Sequence, residues 1–390
     1  MPKLCDRKNC TGCYACSNIC PKQAIEMKED EYGYVYPVID NEKCVECKLC
    51  EKTCPYINKI ELKYPTKCYA ARVKETEILK VSTSGGIATI LAKKIIEKNG
   101  VVYGAAYTED CEVNHIRVNK TEELSKLQGS KYVHSYIKES FKLTKQDLIN
   151  GKIVLFIGTP CQVAGLKNFL MKEYENLYTV DIICHGVPSQ KFLKEEVRRV
   201  NGNSTKIDRI NFRDKTYKDF TFLVKKQNKV LYAQDWIDNP YFYTFMKSIT
   251  YRENCYGCLY ARPDRISDIT IGDFWGLSEE SKFYNTKENG ISVVLQITGK
   301  GKELLDMVTN DVDIEERPIE EAVSGNDQLR EPSLKSKEVD KFKKIYYRDG
   351  NFYKTYKKLF IKHRYKQKLK SNPIIYNIVR KIKGDKNGKK

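Results

Sequence analysis

Two stretches repeat one pattern: Cys10-Thr-Gly-Cys13-Tyr-Ala-Cys16-Ser-Asn-Ile-Cys20-Pro21 and Cys44-Val-Glu-Cys47-Lys-Leu-Cys50-Glu-Lys-Thr-Cys54-Pro55. Each is C-x2-C-x2-C-x3-C-P, the run that binds paired [4Fe–4S] clusters. Three thiolates spaced two residues apart let the backbone curl round one corner of an iron–sulfide cube, and the fourth reaches the neighbouring cube. Cys10, Cys13, Cys16 and Cys54 are therefore expected on one cluster, and Cys44, Cys47, Cys50 and Cys20 on the second. Pro21 and Pro55 turn the chain away after each remote ligand. Zinc needs one tetrahedral set, usually from two separated C-x2-C pairs, and fits two identical four-cysteine runs poorly. Disulfides imply secretion, and the opening Met-Pro-Lys-Leu-Cys5 has no apolar signal core. The chemistry expected is single-electron transfer.

Seven further cysteines lie outside these runs. Cys255 and Cys258 form a C-x2-C pair, while Cys161 and Cys184 each follow a continuous apolar strand and open a helix. Loops at neighbouring strand ends are close in space, so two loop cysteines plus a C-x2-C pair make four ligands, enough for a third cluster. A zinc site, a reactive thiol at Cys161 activated by a helix N-terminus, and ordinary buried cysteines fit the same residues. Cys5, Cys68 and Cys111 look incidental. Ser84-Gly85-Gly86 opens another helix; bare glycines there offer N–H groups to a phosphate, or simply make a tight capped turn. Gly129-Ser130-Lys131 would bring a cation to the same phosphate. His185 is the candidate proton donor, with a structural loop histidine as the plain reading. Trp275 either stacks on a planar cofactor or is core. The G-x-G-x-x-G fingerprint is absent, so any flavin or nicotinamide site is not of the ordinary Rossmann kind.

These residues need elements to hold them. Residues 1–58 read as a ferredoxin cassette with a strand-like Tyr32–Ile39, whose Pro37 suggests an edge. From residue 67 strands and helices alternate: strands near 68–73, 101–107, 152–157 and 177–183, and helices over 87–98, 163–172 and 190–200. Gly100 is expected to end the first of these helices. Strand–helix alternation implies a parallel sheet whose C-terminal edge binds ligands. Residues 207–235 read as short antiparallel strands, 239–250 as an aromatic helix, and 291–298 as a further strand.

The 390-residue chain is long enough for two or three domains. No apolar run spans a bilayer, and fifteen cysteines without a secretion signal indicate a reducing cytoplasm. The formal net charge of +18 is concentrated at one end: positions 335–390 hold 20 Lys and Arg against four Asp and Glu. This basic tail carries Tyr346, Tyr347, Phe352, Tyr353, Tyr356, Phe360 and Tyr365. It offers a peripheral contact with the inner face of a membrane; nucleic acid is not expected, since nothing in the body reads it, and a solvated tail is the plain alternative.

The ordered motifs Ser84-Gly85-Gly86, Gln128-Gly129-Ser130-Lys131-Tyr132, Gly158-Thr159-Pro160-Cys161-Gln162, Cys184-His185-Gly186-Val187-Pro188-Ser189, Cys255-x2-Cys258 and Gly272-Asp273-Phe274-Trp275-Gly276 resemble the coenzyme F420 hydrogenase/dehydrogenase beta-subunit family over about residues 67–330. The resemblance implies FAD and one [4Fe–4S] cluster in the body. It assigns Cys161, Cys184, Cys255 and Cys258 to that cluster. It puts Ser84, Gly85, Gly86, Gly129, Ser130, Lys131 and Tyr132 near the FAD; Thr159 is taken as a further cofactor contact, and His185, read from its own loop, is the catalytic candidate. The fold expected is a small two-cluster ferredoxin domain (1–58), then a mixed α/β flavin-binding domain in two regions (66–150 and 151–330), and the basic tail (335–390). The function expected is an iron–sulfur flavoprotein oxidoreductase. It would pass electrons between [4Fe–4S] clusters and a FAD-bound hydride acceptor or donor, either an F420-like cofactor or an organic substrate, as in surface-polysaccharide synthesis. A redox partner protein or ferredoxin is implied. The alternative is an electron-transfer subunit without its own substrate.

Overall fold

The computed structural model describes residues 2–371 except positions 216, 218 and 228. The cassette comprises two short helices, Ala15–Ile19 and Leu49–Lys52, and a hairpin of β1 (Ile25–Glu29) and β2 (Val35–Ile39). The body contributes β3 (Lys67–Val73), β4 (Val101–Tyr107), β5 (Val113–Val118), β6 (Val154–Gly158) and β7 (Leu177–Ile182). A separate three-stranded antiparallel sheet follows, of β8 (Arg209–Asn211), β9 (Thr221–Lys226) and β10 (Lys229–Asp235). The chain then returns with β11 (Ile269–Asp273), β12 (Ser292–Gln296) and β13 (Val312–Arg317).

Eight of these strands form one mixed sheet in the order β13-β3-β12-β11-β7-β6-β4-β5. Its centre, β11-β7-β6-β4, is parallel, and its flanks are antiparallel. The parallel strands are buried apolar runs, as a sheet covered on both faces requires. One exception is Asp181, fully buried within β7. The helix Ile87–Glu97 ends one residue earlier than expected: Asn99 takes the left-handed conformation at φ 58°. Space excludes any larger residue at Gly100, since a Cβ there would lie 2.7 Å from the carbonyl oxygens of Ile95 and Ile153.

The C-terminal segment differs most from expectation. Lys337–Asp349 and Phe352–Ser371 are helices. Phe342, Tyr346, Phe352, Tyr356 and Phe360 are buried in one core with Phe192, Tyr241 and the cassette's Tyr34 and Tyr36. Of the aromatics read as part of a basic tail, Tyr346 and Phe352 pack with Phe342 on Phe192 and fasten the helical pair to the helix Gln190–Val200. Of the six Tyr and Phe at 346, 347, 352, 353, 356 and 360, Tyr347 and Tyr353 are exposed. Residues 372–390 of the expected tail lie outside the described residues. Among the described residues no helix is long and apolar enough to cross a membrane.

Candidate iron–sulfur centres and cofactor face

The two cassette runs bend the backbone in the same way. Gly12 and Glu46, each just before the second cysteine of its run, have φ 64° and 52°. Tyr14 and Lys48, each just after it, have φ 65° and 57° and start the two short helices. Left-handed backbone costs a non-glycine residue about 1–2 kcal/mol. Three of the four positions are non-glycine and accept that cost. Cys10, Cys13, Cys16 and Cys54 border one cavity. Cys20, Cys44, Cys47 and Cys50 border a second, with Cys47 exposed at the surface. These are the two crossed sets that the spacing predicts.

A third cavity is bordered by Cys161, Cys184, Cys255 and Cys258 together with Thr11, His134, Thr159 and His185. Its cysteines arrive from distant parts of the chain. Cys161 sits in the first turn of the helix Pro160–Leu170, after β6. Cys184 follows β7, the parallel neighbour of β6. Cys255 and Cys258 come from the turn Glu253–Gly257 and its end. An ion pair below this edge locks the loops: Arg265 Nη2 donates to Asp181 Oδ1 at 2.7 Å, and Arg265 Nη1 to the Tyr260 carbonyl at 2.8 Å. Ser267 and Thr270 hydroxyls complete the carboxylate. Thr11 borders both this cavity and the Cys10 cavity, so the two are adjacent. Gly165 permits that closeness, since a Cβ there would meet Cys13 Cβ and Sγ at 3.0 Å.

Burial pushes the thiols of Cys13, Cys161 and Cys184 up to about 12. Coordination to iron deprotonates a thiol outright and removes this penalty. Among the described residues no three His, Cys, Asp or Glu side chains converge tightly enough for a single metal ion. Cys5, read as incidental, also borders the first cavity, beside Cys10 and Cys54. Cys68 and Cys111 are buried packing residues.

The loops expected at the flavin meet through Ser130 Oγ, which donates to Thr83 Oγ1 at 3.3 Å. Gly85 is stitched to the sheet: its N–H donates to Ser292 Oγ at 3.0 Å, its carbonyl accepts from Val73, and a Cβ would lie 2.3 Å from the Ala71 carbonyl oxygen. Gly86 caps the helix Ile87–Glu97 at φ 83°. Lys131, expected to bring a cation to the phosphate, has its ammonium held by the carbonyls just before it. Its ammonium donates to the Leu127 and Gln128 carbonyls at 2.8 Å, and burial pulls its pKa down to about 7. The cations at these loops are Lys215, bonded to the Ser84 carbonyl at 3.1 Å, and Arg209, 3.4 Å from the Gln128 carbonyl. Arg213 pairs with Asp273 at 2.8 Å and lies over the rings of Phe220 and Trp275. Trp275 is 53% exposed and so is not core. Tyr132 stacks on Phe245, ring centroids 4.4 Å apart. Thr159 and His185 belong to the third cysteine cavity instead. Thr159 Oγ1 is 3.2 Å from Cys161 Sγ, and exposed His185 accepts at its carbonyl from Ser333 Oγ at 2.8 Å.

Residues 9–58 match the 4Fe-4S dicluster domain. Residues 68–142 and 151–322 match, in order, the N-terminal and C-terminal parts of the coenzyme F420 hydrogenase/dehydrogenase beta subunit. The chain belongs to this beta-subunit family. It is thus an iron–sulfur protein of an oxidoreductase family. An F(420)H(2) dehydrogenase subunit of Methanosarcina mazei is 24% identical over 241 residues, covering 54% of this chain and 62% of the relative. Coenzyme F420-dependent sulfite reductase of Methanocaldococcus jannaschii is 26% identical over 196 residues, covering 48% and 29%. The chain therefore spans less than two thirds of either relative. A chain of the F420-reducing [NiFe] hydrogenase complex of Methanosarcina barkeri superposes with a TM-score of 0.46 at 23% identity, covering 73% of this chain and 92% of that one.

Beyond the motifs of this beta-subunit family chain, sequence reading missed Arg252, the Asp181–Arg265 pair, and the cations Arg209, Arg213 and Lys215. Asp181 carried a signal, being the one charge in an otherwise apolar strand. Arg252 carried a weaker one, three residues before Cys255. The other cations lie in a lysine- and arginine-rich stretch where nothing marks them out.

Proposed function

We propose that this chain is an iron–sulfur flavoprotein oxidoreductase with three [4Fe–4S] clusters and one FAD, serving an F420-like cofactor or another organic hydride donor or acceptor. The observation that carries the reading is that three cavities are each bordered by one of the three expected four-cysteine sets, the first by Cys5 as well. Cys10, Cys13, Cys16 and Cys54 would hold the first cluster, Cys20, Cys44, Cys47 and Cys50 the second, and Cys161, Cys184, Cys255 and Cys258 the third. Ser84, Gly86, Gly129, Ser130 and Tyr132 would hold the flavin, with Arg209, Arg213 and Lys215 supplying charge for its phosphates. A bound flavin exchanges electrons singly with iron–sulfur centres and in pairs with a hydride donor.

The chain's own residues set the order of the centres. Cys47 leaves the Cys20 set open to a redox partner at the surface, and Thr11 joins the inner cassette cavity to the third. His185, at the rim of the third cavity, is the candidate to hold a proton there. A second reading, an electron-transfer subunit docked on a catalytic partner, is favoured by the relative that is itself a dehydrogenase subunit. Iron and flavin analysis of protein purified without oxygen tests both. About twelve irons and one FAD per chain are expected for three four-iron clusters; eight irons without flavin would overturn the flavoenzyme and the third cluster. Turnover of artificial electron donors by the isolated, fully loaded chain excludes the docked-subunit reading.

A further inference from the structure

Arg252 is the largest fully buried side chain of the molecule among the described residues. Its Nε donates to the Cys10 carbonyl at 2.7 Å and Nη2 to the Val35 carbonyl at 2.8 Å. The guanidinium lies over the Tyr36 ring, 4.2 Å from its centroid. Nη1 has no hydrogen-bond partner. Among the described residues no carboxylate pairs with it, whereas the other fully buried arginine, Arg265, has Asp181 at 2.7 Å. A buried cation without an anion is severely destabilising. The chain supplies a carboxylate for one buried arginine and none for the other.

What Arg252 touches instead is the backbone of the cysteine-bearing loops. It bonds the backbone of Cys10, and a Cβ on Gly12 would lie 3.2 Å from its Cζ and Nη1. Its own carbonyl accepts from the Cys255 N–H at 2.9 Å, and its N–H donates to the Val187 carbonyl in the loop after Cys184. It therefore stands between the cysteines of the first cavity and those of the third. A four-iron cube with four thiolates is net anionic and gains one further negative charge on reduction, so nearby positive charge favours the reduced form and raises the potential.

We propose that Arg252 is the shared counter-charge of the Cys10/Cys13/Cys16/Cys54 and Cys161/Cys184/Cys255/Cys258 clusters and raises the reduction potential of both, leaving the Cys20/Cys44/Cys47/Cys50 cluster unaffected. The assignment rests on the cluster ligands proposed above. It makes Arg252 a positioning and tuning residue that holds the cassette to the body through two carbonyls and biases electrons from the outer cluster toward the inner pair.

The test is an EPR-monitored potentiometric titration of the full chain, purified without oxygen, as wild type, Arg252→Gln and Arg252→Lys, with iron counted in each. In fully loaded Arg252→Gln, two of three reduction waves should move negative by at least tenfold in the reduction equilibrium, which is 59 mV for a one-electron couple. The third wave should stay, and Arg252→Lys should restore most of the shift. A fully loaded Arg252→Gln with all three waves unmoved, or all three moved alike, overturns the proposal. If Arg252→Gln loads less iron, Arg252→Lys decides. Restored loading supports a need for buried positive charge, and equal loss in both variants overturns it in favour of mere packing. Eight irons in the wild type would remove the third cluster from the proposed function, and the Arg252 assignment would then stand or fall on the first cluster's wave alone.

Discussion

The cassette and the C-terminal edge of the large sheet both gather cysteines, by opposite means. In the cassette each set comes from two short runs, and the backbone is bent locally at Gly12, Tyr14, Glu46 and Lys48. At the sheet edge Cys161, Cys184 and Cys255 are brought together by β6, β7 and a later turn, over nearly a hundred residues. The cassette has little regular structure of its own, two short helices and a hairpin, and a two-stranded hairpin alone is marginal in water. The sheet edge rests on eight hydrogen-bonded strands. One region should owe its shape to what it binds, and the other should keep its shape regardless.

Removing iron with a chelator should therefore separate them most sharply. Hydrogen exchange should show protection in residues 10–55 falling by orders of magnitude, because metal-binding energy is folding energy in such segments. β6 and β7 should stay protected. Equal loss in both regions would contradict the contrast. A smaller effect targets the edge. Asp181→Asn removes one partner of a fully buried pair and leaves Arg265 uncompensated, which should cost about 3–5 kcal/mol in denaturant unfolding. A cost below about 1 kcal/mol would mean that the edge does not depend on its lock. The smallest effect targets local strain. Lys48 is exposed at φ 57°, so Lys48→Gly should stabilise the loaded cassette by up to about 1 kcal/mol. Destabilisation would show that its conformation is not strained.

The same contrast explains what was legible beforehand. Spacing alone yielded the crossed cassette sets, because their geometry is local. Strand–helix alternation yielded the parallel centre of the sheet and the meeting of Cys161 and Cys184. Partners chosen by packing were not legible. Lys131 looked like a phosphate cation but caps the carbonyls just before it. Phe352, Tyr356 and Phe360 recur at four-residue spacing, one face of a helix, yet the surrounding lysines made the segment read as a tail. Arg252 was invisible because its role depends on two cysteine sets that only the fold brings near it.

The buried helical pair has a consequence for how the protein matures. Tyr32 packs against Tyr346, its hydroxyl bonds the Lys343 carbonyl at 3.4 Å, and Lys335 and Lys343 clamp Glu253, two residues before Cys255. The ribosome makes the cassette well before part of its seat, since 311 positions separate Tyr32 from Lys343. Until residue 343 has been made, the cassette lacks that part of its seat. The last helices, packed on the helix Gln190–Val200, are the final piece of that seat to be synthesised.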